Sequence, residues 1–125
     1  MSSHAHDDRA EVEAVLSHLV TMAAAIAAYL IDADGQIAVA AGATRDELAT
    51  AATQHASRSA GSRPAGEAVV PLRDGQSLLV TTAGTGALVI AFDEGTSLGL
   101  VRLRVRKALE ALAPFLVETG GRPLN

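Results

Sequence analysis

At 125 residues the chain fits one domain, and a domain of that size buries roughly two-thirds of its unfolded surface. It has no cysteine, which excludes disulfides, thiol catalysis and thiolate metal sites and suits a cytosolic protein. The net charge of −4 speaks against general nucleic-acid binding.

Hydrophobic residues make up 49% of the chain, yet only three are aromatic: Tyr29, Phe92 and Phe115. The core must therefore be built from Leu, Val, Ile and Ala. A buried Ala contributes less transfer free energy than a buried Leu, by about 1.5 kcal/mol or more, so such a subunit gains much by burying a further face against a second copy. The N-terminus opens on acidic residues without a basic n-region, so no secretory signal is expected. The longest uncharged apolar run, Leu19 to Ile31, is 13 residues, short of the roughly 20 that span a bilayer. No membrane insertion is expected.

Residues 1–6 read as a flexible tail. Asp7 and Asp8 then open a helix, acidic residues suiting the positive end of the helix dipole. Val12, Val15, Leu16, Leu19 and Met22 recur at helical spacing, and the helix should end near Ala24. Ala27 to Asp32 reads as a strand buried on both faces. Asp34-Gly35 is a two-residue hairpin signal, and Gln36 to Ala41 returns.

Thr44-Arg45-Asp46-Glu47 has the form of a capping box for a helix running to about Ala60. Its inner face reads as Leu48, Ala51, Ala52, His55 and Ala56, small and only weakly hydrophobic. Gly61 to Gly66 is a turn-rich break. Glu67 to Leu72 is a strand that Pro71 demotes to an edge position. Asp74-Gly75 signals a second hairpin, returning through Gln76 to Thr82 with Leu78 and Val80 on one face. Gly84 and Gly86 mark a third turn. Ala87 to Phe92 is apolar throughout and should be central in the sheet. Thr96 or Ser97 caps a last helix that reaches about Pro114 or slightly beyond, with Leu98, Val101, Val105, Ala108 and Leu112 as its buried stripe. The order is α-β-β-α-β-β-β-α, an α+β arrangement with a mainly antiparallel sheet whose faces must be covered by helices. Residues 7–117 form the single expected domain, with a flexible tail at 118–125.

No catalytic constellation emerges. Gly84-Thr85-Gly86 and Gly95-Thr96-Ser97-Leu98-Gly99 both lack the Lys of a phosphate loop. His4 and His6 lie in the expected tail, and His18 and His55 sit on separate helices. Asp32, Asp34 and Asp93 stand where Asp commonly makes local turn bonds. Arg102, Arg104, Arg106 and Lys107 form a basic cluster without interleaved aromatics for base stacking, and read as a solvated helix face. No metal, nucleotide or other cofactor is expected.

The stretch Asp93-Glu-Gly-Thr-Ser-Leu-Gly-Leu-Val-Arg-Leu-Arg-Val-Arg-Lys107 closely resembles the segment entering the last helix of MglB proteins. Tyr29-Leu-Ile-Asp-Ala-Asp-Gly-Gln-Ile37 resembles their first hairpin, and the helix Val12 to Met22 fits as well. The element order is that of the Roadblock/dynein light chain fold, and the resemblance covers about residues 10–117.

The resemblance implies a five-stranded antiparallel sheet with the first and last helices on one face and the middle helix on the other. It implies a homodimer pairing through an edge strand and the middle helix, with an MglA-type Ras-like GTPase as partner. Such regulators donate no arginine finger; they speed hydrolysis by holding the switch regions of the GTPase in place. On this basis the GTPase-facing surface is expected on the middle helix, on its side away from the sheet: Ala49, Ala52, Thr53, Ala56 and Ala60. The dimer contact is expected at Leu48, His55, Val69, Val70 and Leu72. Two departures stand out. Residues 57–68 look shorter than in typical MglB proteins, which favours as alternative a scaffold that binds a GTPase or sensor protein without activating it. Pro71 removes one donor from strand pairing at the dimer edge.

Overall fold

The computed structural model of the chain describes residues 3–43, 46–62, 67–73, 75–83 and 86–120, and the side chains of 9–43, 46–56, 67–73, 75–83 and 86–114. The elements follow the expected order: α1 (Ser3–Ala23), β1 (Ala27–Ile31), β2 (Ile37–Gly42), α2 (Asp46–Ser62), β3 (Glu67–Pro71), β4 (Gln76–Ala83), β5 (Gly86–Asp93) and α3 (Leu98–Gly120). All strand pairs are antiparallel, in the order β2-β1-β5-β4-β3. The apolar β5 is central and the Pro71-bearing β3 lies at an edge, as expected.

The strands alternate between two separate cores, because successive side chains leave a sheet on opposite faces. Ala28, Leu30, Val39, Leu79, Leu88, Ile90 and Phe92 meet α1 and α3. Ala27, Tyr29, Ile31, Leu78, Val80, Val89 and Ala91 meet α2. Val101, Val105, Ala108 and Leu112 are the buried stripe of α3, with Leu98 half-buried at its start.

Three boundaries differ from expectation. First, α1 begins at Ser3, so Asp7 and Asp8 lie in its second turn. Residues 3–8 contain no Gly or Pro to stop the helix from extending backwards. Second, α3 runs through Pro114 to Gly120, beyond the expected domain end at 117. Third, the Asp34-Gly35 turn is wider than two residues, because Ile31 pairs with Ile37. The Asp32 carboxylate holds that loop, its Oδ1 accepting from the backbone N–H groups of Asp34 and Gln36 at 3.0 Å each. Gly35 supplies the left-handed residue at φ 83°. Thr44 and Arg45 of the expected capping box lie outside the described residues.

The start of α3 is tied to the end of α1. Ser97 is its N-cap, its Oγ accepting from Leu100 N–H at 3.3 Å. The hydroxyl of Thr96 turns instead to donate to the Ala24 carbonyl at 2.9 Å. Gly86 sits where a Cβ would fall onto the Ile31 carbonyl oxygen, so only glycine lets β5 begin this close to the end of β1.

Ala24 itself is strained. It closes α1 in the left-handed region at φ 56°, with Ala25 N–H donating to Val20 C=O at 3.0 Å and Ala24 N–H to Thr21 C=O at 3.3 Å. This is a Schellman ending, where glycine normally stands. Ala24→Gly should therefore stabilise the fold by about 0.5–1 kcal/mol after the entropy of a freer unfolded chain is deducted. Thermal unfolding should show the midpoint rising by about 3 °C; a lowered midpoint would mean that the strain is not there.

Candidate functional site

The sheet leaves β3 as a free edge, and its two faces behave differently. Val70 and Leu72 are half-buried and pack toward the α2 core. Val69 points to the other face and is 40% exposed, one of three large hydrophobics so exposed among the described residues. Its neighbour Glu67 reaches across to α3, Oε2 lying 2.8 Å from Arg102 Nε. Both partners are well exposed to solvent, so the pair contributes at most about 1 kcal/mol; its effect is to fix the position of the edge strand against α3. Arg102 thus belongs to an ion pair rather than to a purely solvated face. No spacing rule links residues 67 and 102, so the sequence carried no signal for it.

The backbone of β3 is polarised by register. Leu72 N–H donates to Gln76 C=O at 2.7 Å, toward β4. Backbone direction alternates along a strand, so the N–H groups of Glu67 and Val69 point outward, and so does the nitrogen of Pro71. The donor that proline lacks is one that would have faced an approaching partner strand.

The middle helix corrects part of the expected interface. Leu48 and Ala56 are 3% exposed and Ala52 is 0% exposed, all three packed on the sheet. They form an i, i+4, i+8 line on the inward side. Ala52 and Ala56 therefore do not lie on the face away from the sheet, and Leu48 points inward with them. An alanine-rich helix has little hydrophobic contrast to mark its inner side, and the outward set was centred on the inward line. Ala49 is half-buried and also packs against this core. Thr53 is half-buried, its Oγ1 donating to the Thr50 carbonyl at 3.0 Å. His55 is half-buried, while the side chain of Ala60 lies outside the described residues. Among the described side chains of α2, Asp46, Glu47, Thr50 and Gln54 are the exposed ones.

The candidate acids are engaged in loops. Asp32 holds the first hairpin, and Asp93 Oδ1 accepts from Gly95 N–H at 3.1 Å and Thr96 Oγ1 at 3.3 Å. His18 is exposed, and the side chains of His4 and His6 lie outside the described residues. Among the described residues no three His, Asp or Glu side chains gather as a metal site. No helix among them is long and apolar enough to cross a membrane.

The burial of Ala56 has a measurable consequence. Ala56→Glu places a carboxylate against the α2 core, so it should cost about 3 kcal/mol or more in chemical denaturation. Gln54→Glu, on the solvent face, should stay within about 0.5 kcal/mol of the parent. Equal effects at the two positions would contradict this orientation of α2.

No protein-family model matches the chain, and no curated protein matches it at a significant level. Solved structures do. The chain is 29% identical to Myxococcus xanthus MglB, over 88% of this chain and 90% of that one, with a TM-score of 0.71. The gliding protein MglB from Thermus thermophilus is also 29% identical, over 89% and 92%, at a TM-score of 0.72. A Roadblock/LC7 domain from Streptomyces avermitilis shares the fold at 20% identity, over 84% and 97%, with a TM-score of 0.72. In element order, sheet topology and these likenesses, the chain is an MglB-like protein of the Roadblock fold.

Proposed function

We propose that the protein is a homodimeric regulator of an MglA-type Ras-like GTPase, working by positioning the GTPase switch regions rather than by donating catalytic groups. The carrying observation is the likeness to two MglB structures over about nine-tenths of both chains. The free β3 edge supports the dimer. Outward N–H groups at Glu67 and Val69, beside an exposed Val69 and half-buried Val70 and Leu72, suit strand-to-strand pairing with a second copy. One similar solved structure, 29% identical, is an MglB with tetrameric arrangement, which supports self-association of this chain.

In the dimer two α2 helices lie side by side next to the joined edges. His55 and Thr53 flank that contact, and the polar outer residues Thr50 and Gln54, with Ala49 beside them, offer the GTPase a shallow surface of short side chains. Rate acceleration then comes from pre-arranging groups that the GTPase already carries. The connection from α2 to β3 spans only residues 63–66. The shortness of the 57–68 stretch in the sequence favours a second reading, a scaffold that binds the GTPase without activating it. Single-turnover GTP hydrolysis with and without the protein separates the two. The leading proposal expects a clear acceleration, whereas binding with an unchanged rate selects the scaffold.

The edge proposal has its own test. Val69→Pro removes an outward donor while sparing the bonds from β3 to β4. It should weaken the dimer at least about tenfold in sedimentation, the loss of two hydrogen bonds across a twofold contact, and leave the monomer folded. An unchanged dimer constant would remove β3 from the interface.

A further inference from the structure

We propose that the groove between α1 and α3 is a second docking site, for an acidic amphipathic helix of a partner protein. The bond from Thr96 to Ala24 sets the start of α3 beside the end of α1, so the two helices run antiparallel over the sheet. Between them lies a cavity of about 440 Å³. Its apolar lining is Val15, Leu19 and Ala108, with Ala14 and Ala111 opening it to solvent.

Two further observations indicate what fits there. Exposed apolar residues also lie beyond the cavity on both helices. Met22 lies one turn beyond His18 on α1, and Leu103 lies one turn before Lys107 on α3. They are 39% and 47% exposed and, with Val69, are the exposed large hydrophobics among the described residues. From Glu11 to Met22 the groove is about 16 Å long at 1.5 Å per residue, room for about three turns of a helix and more than a compact ligand needs. The charged rim is biased to positive charge: Arg104 and Lys107 stand against Glu11, with His18 beside them. Arg104 Nε is buried without a hydrogen-bond partner among the described residues. Neither Arg104 nor Lys107 is paired with a carboxylate among them. In a chain of net charge −4, this rim is locally matched to Asp and Glu side chains, and a carboxylate reaching Arg104 would form a charge-assisted bond.

The groove opens on the α1 side of α3, whereas Arg102 ties that helix to the proposed dimer edge at Glu67. α1 packs over β1 and β2, at the far side of the sheet from β3. A dimer engaged with a GTPase would still present this groove on each copy.

Selection of a displayed library of helical peptides on the intact protein tests the idea. The expected winners carry Leu, Ile or Met at helical spacing flanked by Asp or Glu. Their binding, read by fluorescence anisotropy of the synthesised peptides, should fall at least about tenfold on Lys107→Glu. It should fall similarly on Ala111→Trp, which fills the mouth of the groove, and should be unaffected by Thr82→Arg, exposed on the opposite face of the sheet. Both critical positions are exposed, so folding is not at stake. The proposal is overturned if no peptides are enriched, if winners show no acidic bias, or if Lys107→Glu leaves binding unchanged. It is also overturned if laurate, tested in parallel, binds the groove while the peptides do not, or if Ala111→Trp merely lowers the protein's own oligomeric state.

Discussion

β5 has no polar side chain between Gly86 and Asp93, and six of its residues, Ala87 to Phe92, are buried. A central strand that is apolar on both faces cannot leave either face to water. Helices must therefore cover the sheet twice, and the described residues form three with which to do it. α1 and α3 take one face and α2 takes the other. What remains accessible is set by this constraint: the strand edges, the outer helix surfaces and the seam between α1 and α3. Any function of the molecule has to be performed there.

The two layers differ in kind. The α1/α3 layer is built from Leu, Val, Ile and Phe, with branched residues from both helices meeting Leu30, Leu88 and Ile90. The α2 layer meets the sheet through Leu48, Ala52 and Ala56, with Tyr29 as its one large ring. A helix with so few large buried groups gains only a modest transfer free energy by itself. Contact with a second copy would add to that gain. Val70 and Leu72 of the β3 edge pack toward the same core as this helix, so a self-pairing contact at that edge would adjoin it. The MglB structures are similar to this chain at 29% identity over about nine-tenths of its length.

Much of the architecture was legible in the residues. The periodicity of Val12 to Leu19, the doubly apolar runs of β1 and β5 and the edge-directing Pro71 all act through local rules, and the structure follows them. The segment Asp93 to Lys107 identified the kind of protein, and its start also holds the local structure: Asp93, Thr96 and Ser97 each make a loop or capping bond. The orientation of α2 was not legible. Its residues 48–56 include four alanines, and alanine is accepted on either side of a helix. The Glu67–Arg102 pair and the α1/α3 groove were hidden for another reason. Both depend on which elements lie side by side, and no spacing in the chain encodes that.

The central claim is that β3 is the edge through which two copies join. Amide hydrogen exchange at Glu67 and Val69 measures it directly, since their N–H groups point away from β4. Paired edges predict slow exchange at high protein concentration, quickening on dilution as the dimer dissociates. Fast exchange at both amides at every concentration, in a protein that is nonetheless dimeric, would contradict it.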